Sequence, residues 1–233
     1  MNKLIVLEIA PPYDAAGDFI YPVVLCDDNH CVLVDTGYVG TLPTIEEVLY
    51  CHGVSPEAIT HIILTHQDHD HVGTAAAFKQ KYPDVLIMAS IDEAPYISGF
   101  RKSLRLEQAE QLQKTLLAEQ QAFGEAFCSL LRSVEPVEID YLLKENEILP
   151  FCGGCQVIAT PGHTPGHISL YLPEFDTIIS GDAIALAQGQ PVLANPQFTL
   201  DIKKAEASMQ RLLSHSAQTI ICYHGGLFKK EKV

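Results

Sequence analysis

The sequence predicts an α+β fold of the αββα sandwich type: two mixed β-sheets packed face to face, with helices on both outer sides. Three observations point there. Short β-type runs cluster in residues 4–34 and again in residues 136–180; helical periodicity fills the segments between and after them; and the residues richest in ligand chemistry fall where strands end. Strands, then helices, then strands and helices again is an order that suits two sheets sharing one core. A chain of 233 residues can bury a large core. The expected organisation is one domain over residues 1–233 with a helical insertion at about 92–133.

Each element has its own signal. Leu4–Ile9, Ile20–Cys26 and Cys31–Val34 are apolar runs separated by Pro, Asp and Asn, an antiparallel opening. Thr44–His52 spaces Ile45, Val48 and Leu49 as a helix does and closes at Gly53. The strand His61–Thr65 follows the Ser55-Pro56 turn, the polar segment Gln67–Gly73 leaves it, a helix runs to Lys81, and Val85–Met88 is a buried strand. Between Asp92 and Ser133, residues such as Leu104, Ala109, Leu112, Leu116, Phe123 and Phe127 recur at helical intervals among polar neighbours, which predicts one or two amphipathic helices broken near Gly124. These are expected to pack on the domain, with Pro95–Arg101 reaching the functional pocket. Strands are expected again at Pro136–Asp140, Ile148–Phe151, Cys155–Ala159, Ile168–Leu172 and Thr177–Ser180, followed by a helix at Lys203–Ser214 and a last strand at Thr219–Cys222.

Composition excludes several classes. A net charge of −14 with 15 thinly spread basic residues argues against nucleic-acid binding, which needs a positive track. No apolar run is long enough to cross a bilayer. Met1–Ala10 lacks a small-residue cleavage site, so it reads as a first strand rather than an export signal, and a cytoplasmic location is expected. Seven scattered cysteines predict reduced, mostly buried thiols. Cys152-Gly-Gly-Cys155 has the spacing of a redox or zinc half-site, but with no partner pair it reads as a hairpin turn. Homo-oligomerisation is left open.

The strongest chemical signal is Thr65-His66-Gln67-Asp68-His69-Asp70-His71-Val72-Gly73, placed directly after an apolar strand. Imidazole nitrogen and carboxylate oxygen are ligands for zinc and other first-row ions, and a rigid strand can hold the loop that carries them. Downstream, His163 lies within Thr160-Pro161-Gly162-His163-Thr164-Pro165-Gly166-His167, Asp182 ends the strand Thr177–Ser180 in Ser180-Gly181-Asp182, and His224 follows the last strand in Tyr223-His224-Gly225-Gly226. Each alone suits an ordinary turn. Together they place every candidate ligand at a strand end, as a metal site between two sheets requires.

From Asp35-Thr36-Gly37 through His224 the chain resembles the metallo-β-lactamase-fold hydrolases, whose signature is H-x-H-x-D-H followed by separate His, Asp and His ligands. Thr65–His71 further resembles the T-H-Q-D-x-D-H form of some bacterial members, and Ala94-Pro95-Tyr96-Ile97-Ser98-Gly99 resembles another segment of bacterial hydrolases in this group. The resemblance implies two divalent metal ions, with His66 and His163 on the first, Asp70, His71 and His224 on the second, and Asp182 bridging both. Asp68 stands where the family has its second His. It can serve as a harder, anionic ligand, which shifts the preference from zinc toward Mn or Fe, or it can bind weakly and leave the first site partly filled. His69 is one residue off the pattern and is expected to face outward or to support a ligand.

The implied function is dinuclear metal-dependent hydrolysis of a small ester, thioester or lactone. Two cations roughly 3.5–4 Å apart hold a bridging hydroxide as nucleophile, with Asp70 and Asp182 as the catalytic carboxylates. Asp35 and His167 are candidate supports for ligand imidazoles, and Tyr13, Tyr38 and Tyr223 are candidate oxyanion donors. Only 51 residues follow Asp182, too few for the glutathione-gripping helical domain of glyoxalase II-like thioesterases, and the chain has no length for the flavin domain of flavodiiron-like reductases. The competing readings are a non-catalytic metal-binding or metal-sensing protein and an iron enzyme handling oxygen or sulfur.

Overall fold

Two six-stranded sheets carry the fold of the computed structural model, which describes residues 1–12 and 19–230. Tyr13 lies outside the described residues. The first half of the chain supplies β1 (Lys3–Val6), β2 (Val23–Cys26), β3 (Cys31–Val34), α1 (Leu42–Cys51), β4 (His61–Leu64), α2 (His69–Val72), α3 (Ala75–Lys81) and β5 (Leu86–Ser90). After β5 come α4 (Ala94–Ile97), α5 (Leu104–Gln113), α6 (Gln121–Arg132) and β6 (Tyr141–Leu143). The second half supplies β7 (Ile148–Leu149), β8 (Cys155–Ala159), β9 (Ile168–Leu172), β10 (Thr177–Ile179), β11 (Ala185–Ala187), β12 (Gln190–Val192), α7 (Ile202–Leu213), β13 (Thr219–Cys222) and β14 (Gly226–Lys229). One sheet runs β1-β2-β3-β4-β5-β6 and the other β14-β13-β10-β9-β8-β7, both mixing parallel and antiparallel pairs.

The two-residue period of the strands sorts their side chains into layers. Val23, Leu25, Val32, Val34, Ile63 and Met88 of the first sheet meet Val157, Leu170, Leu172, Ile179 and Ile221 of the second in one buried cluster. The alternate residues Leu33, Ile62, Leu64 and Ile87 face outward and are covered by Ile45 and Leu49 of α1 and Phe78 of α3. On the far side, Ile158, Ile178 and Ile220 are covered by Leu212 of α7. Each such side chain contributes about 1.5–3 kcal/mol of burial, so the order helix, sheet, sheet, helix follows from which face of each strand is apolar. Here both faces are.

Several expectations change. The break between α5 and α6 falls at residues 114–120, and Gly124 lies inside α6, where a Cβ would collide with Gln113 and Leu116. Gly124 thus sits within the helix, under the side chains of Gln113 and Leu116, and does not break it. The segment expected as strand Pro136–Asp140 is an extended approach to β6, and the polar segment after β4 winds into the single turn α2. The β11–β12 hairpin and β14 carry too little local signal to be anticipated. Cys26 and Cys31 face each other at the end of the β2–β3 ladder and are joined as a disulfide, against the expectation of seven reduced thiols. Burial pushes the Cys152 and Cys155 thiols up to about 11 and about 12, the opposite of what a redox or metal-binding pair needs, and the segment forms the turn between β7 and β8.

Asp27 ties this turn to the first sheet. Its carboxylate accepts the backbone N–H groups of Asn29 and His30 at 2.8 Å and of Cys152 at 2.9 Å. Burial raises its pKa, but these donors outweigh it and hold the group at about 2. A lowered folded pKa gives stability that is present above the unfolded value of about 3.9 and is lost as pH falls through about 2. Asp27→Ala should therefore cost about 1 kcal/mol at pH 7 after solvent screening, lowering the melting midpoint by about 2–4 °C. Thermal unfolding followed from pH 7 downward should show the gap from wild type narrowing below pH 4.

Candidate metal centre

Six loops converge at one edge of the sandwich. In the first sheet β3, β4 and β5 run parallel, and Asp35, the His66–His71 segment and Glu93 follow their carboxyl ends. In the second sheet β10 and β13 are parallel, and β8 shares their direction because both β8 and β10 oppose β9; His163, Asp182 and His224 follow these three strands. Loops at the carboxyl ends of parallel strands are the common location of ligand sites. Gly73 closes the motif where no side chain fits, since a Cβ would run into the Tyr38–Val39 backbone.

The structure gathers seven donor side chains into three overlapping groups: His66, Asp68 and His163; His66, His71 and Asp182; and Asp70, His71 and His224. Within each group the donor atoms lie within 4.8 Å of one another. Asp182 touches both ends of the assembly, 3.3 Å from His71 Nε2, 3.4 Å from His163 Nε2 and 3.5 Å from His224 Nε2. Among the described residues, His66 Nε2, His71 Nε2, His224 Nε2 and Asp182 Oδ1 are buried without a hydrogen-bond partner, so these close approaches lack hydrogen-bond geometry. Orphaned buried polar atoms cost about 1–3 kcal/mol each. Imidazole nitrogens and carboxylate oxygens left orphaned toward a common centre fit first-row divalent cations.

Outer contacts fix which nitrogen faces inward. Asp35 accepts Thr65 N–H and the Thr65 hydroxyl, both at 2.8 Å, and His71 Nδ1–H at 2.9 Å, which leaves His71 Nε2 as the free donor. With its proton committed to Asp35, the Thr65 hydroxyl accepts His66 Nδ1–H at 3.0 Å. His167 Nε2 accepts the backbone N–H of Asp182 at 2.8 Å, and its Nδ1–H donates to the Thr160 hydroxyl, also at 2.8 Å. It thus steadies the Asp182 backbone rather than a ligand imidazole, a correction to its expected role.

Burial disfavours every charge here, and the cluster answers with mutual compensation. Burial pushes Asp182 upward, but His224 and His71 outweigh it and hold the carboxyl well below the usual range. Asp70 is lowered against burial by His69, His71 and His224. His71 is raised well above the usual imidazole value because Asp182, Asp35 and Asp70 overcome its burial, and His224 is raised by Asp182 and Asp70 in the same way.

A cleft of 510 Å³ opens onto these groups, a size suited to a small molecule. Tyr38 and Phe127 line it on either side of His69, whose ring packs edge-on against both; His69 is a wall of the cleft, not an outward-facing residue. The Tyr223 hydroxyl donates to the Asp70 carbonyl at 2.6 Å and so is committed to the backbone rather than to a substrate. The insertion does reach the cleft, but through Arg105 and Phe127; the segment expected there, Pro95–Arg101, lies instead around a neighbouring hollow with Gln67.

Two buried charged residues packed against these groups escape the sequence reading. Arg105 binds Asp68 through Nε at 3.2 Å and Nη2 at 2.5 Å. Burial raises the Asp68 pKa, and Arg105, His163 and His66 reverse that and hold it well below the usual range. Glu93, fully buried, accepts from Gln67 N, Gln67 Nε2 and Gly166 N, and burial pushes its carboxyl up. A charged residue in a polar stretch reads as exposed, so neither position carries a sequence signal.

The family model of the metallo-beta-lactamase superfamily matches residues 16–224. A probable metallo-hydrolase of Bacillus subtilis, YflN, is 26% identical over 221 residues, covering 88% of this chain and 80% of its own. A hydroxyacylglutathione hydrolase of Hamiltonella defensa is 26% identical over 208 residues; the match covers 87% of this chain but only 60% of that enzyme. Among solved structures, a metallo-beta-lactamase family protein of Thermus thermophilus superposes with a TM-score of 0.77 at 23% identity, covering 97% of this chain and 74% of that one, a likeness of fold. Among the described residues no helix is long and apolar enough to cross a membrane.

Proposed function

Since this chain belongs to the metallo-β-lactamase superfamily and is a metal-dependent hydrolase, we propose that His66, Asp68, Asp70, His71, His163, Asp182 and His224 hold two divalent cations and that its substrate is a small ester, thioester or lactone. The observation that supports this most is the convergence of three donor groups in which His66 Nε2, His71 Nε2, His224 Nε2 and Asp182 Oδ1 are buried with no hydrogen-bond partner. When bound, such cations polarise a carbonyl and make water nucleophilic near neutral pH. We take zinc as the metal, with Mn or Fe as alternatives because Asp68 makes the first group harder than three imidazoles would.

The chain's own residues then have distinct parts. Asp182, touching imidazoles of both outer groups, spans the centre, and the His167 contact to its backbone N–H keeps it there. Asp70 turns one oxygen toward His224 at 3.2 Å and the other toward His69 at 3.5 Å on the cleft wall, where it orients the attacking water. Phe127 and Phe198 give the cleft an apolar side against which an acyl or ring portion of the substrate packs. The hydroxyacylglutathione hydrolase relative acts on a thioester by name, which places thioesters within the panel to be tried. We read residues 92–133 as an insertion between β5 and β6 within one domain.

Protein purified without added metal should contain close to two equivalents of a first-row metal by elemental analysis, or accept them on titration. On a chromogenic panel of esters, thioesters and lactones, turnover should vanish with a chelator and return with metal. Stripping should also lower the melting midpoint, by RT ln(1 + [L]/Kd) expressed in temperature, about 2.7 kcal/mol for metal at 100 times its Kd. Metal binding with no turnover on any class would favour a binding protein over an enzyme.

A further inference from the structure

The two outer donor groups differ in one respect that their ligand types do not reveal. Asp68 is the only carboxylate peculiar to the His66–Asp68–His163 group, and a resident cation already shares it. Arg105, buried at the start of α5, places Nη2 2.5 Å from Asp68 Oδ2, the same oxygen that lies 2.9 Å from His163 Nε2 and 3.6 Å from His66 Nε2. The guanidinium is not a passing contact. Its Nη1 donates to Gln108 and to the Phe198 carbonyl, its plane lies over the Phe198 ring with 5.0 Å to the centroid, and Nη2 comes within 3.4 Å of His163 Nε2. The start of the helix is pinned to the same loop by Leu104 N–H donating to Gln67 Oε1 at 2.8 Å.

Asp70, in the other outer group, is paired only with histidines among the described residues, and histidines can give up their protons to a metal. A guanidinium cannot. The three carboxylates of the centre carry −3 and Arg105 carries +1, so one divalent cation neutralises the assembly and a second arrives against the resident positive charge.

We propose that Arg105 is a positioning residue that makes His66–Asp68–His163 the weaker of the two cation sites, so that the protein fills in sequence, with Asp70–His71–His224 first. This rests on the two-cation reading above. The helical insertion thereby reaches into metal loading through one side chain, and the first group stays exchangeable when the second is full.

The test is a titration of chelator-stripped full-length protein with Zn²⁺ against a competing indicator, repeated with Co²⁺ so that its absorption distinguishes the two environments. Wild type should bind two equivalents with constants separated by about 10–100-fold, the span that outer partners of metal ligands command. Arg105→Met should tighten the weak constant about tenfold or more and leave the tight one within about twofold, a change opposite in sign to what mere structural damage produces. Arg105→Lys keeps a cation without the fork and should keep the weak constant near wild type, and it serves if the Met variant does not fold. Two equal constants in wild type, a weak constant that Arg105→Met leaves unchanged or loosens, or a Lys variant as tight as the Met variant is expected to be would each overturn the assignment to charge sharing. A chain that binds no cation would take down the metal centre as well; two equal sites would leave that centre standing and remove only the role of Arg105.

Discussion

Asp182→Asn should abolish most turnover while leaving the fold in place. The substitution is nearly isosteric and retains the backbone N–H that His167 accepts at 2.8 Å, so the loop after β10 keeps its anchor. What it removes is the charge that faces His71, His163 and His224 at 3.3–3.5 Å. Loss of an outer partner of a metal ligand already costs about 10–100-fold in affinity or activity, and a carboxylate shared by both groups should cost more, about 10³-fold in kcat/KM with metal content falling to one equivalent or less. The metal-free protein should respond in a second way. Asp182 is the chief cause of the raised values of His71 and His224, so without its charge both should titrate at lower pH. A raised folded pKa contributes stability that is present below the unfolded value of about 6.5 and lost as pH rises through the folded one; the variant should lose that contribution, and its stripped form should melt with a flatter dependence on pH above 6.5 than stripped wild type. Full activity on the panel with two metals bound would remove Asp182 from the centre.

How far the sequence discloses this molecule depends on how local the determinant is. The layers are legible because the strands are two-faced: Leu33 and Val34, or Ile62 and Ile63, are adjacent, apolar and buried in different clusters, and a run of such residues has to sit between a sheet and a helix. The donor residues are legible because His66, Asp68, Asp70 and His71 crowd into six positions that no ordinary turn requires, and because the later candidates each end a strand. Residues that act through long-range burial are not legible. Arg105 sits among Leu104, Leu106, Glu107 and Gln108, a pattern that fits an exposed helix face, yet it is 3% exposed because Asp68, 37 positions earlier, draws it inward. The β11–β12 hairpin, two strands of three residues each, forms part of the cleft wall with no periodicity long enough to announce it. His167 shows the same limit: its neighbours predict a turn, but only the fold shows that its partner is the Asp182 backbone.

Glu93 is the second site where one substitution should have a large effect, and its effect should fall on stability before chemistry. One oxygen accepts Gln67 N and Nε2 at 3.0 Å each, and the other accepts Gly166 N at 2.8 Å. The carboxylate therefore fastens the loop that carries His66 and Asp68, from the first sheet, to the loop that carries His163 and His167, from the second. Burial works against its charge and raises its pKa, while the hydrogen bonds it accepts act in the opposite direction. Glu93→Ala would leave those N–H groups buried without an acceptor, at about 1–3 kcal/mol apiece before relaxation; a net loss of about 3–5 kcal/mol corresponds to a fall of about 6–20 °C in melting midpoint for a chain of this size. Glu93→Gln keeps one acceptor oxygen but turns an amide NH₂ toward the other loop, so it should lose roughly half as much. Because the loops would then drift independently, zinc affinity should weaken in both variants even at temperatures where they remain folded, and in the same order. Melting of the stripped proteins separates this clamp from a ligand effect: if Glu93→Ala without metal melts within about 2 °C of wild type, the two loops are held together by something other than this carboxylate.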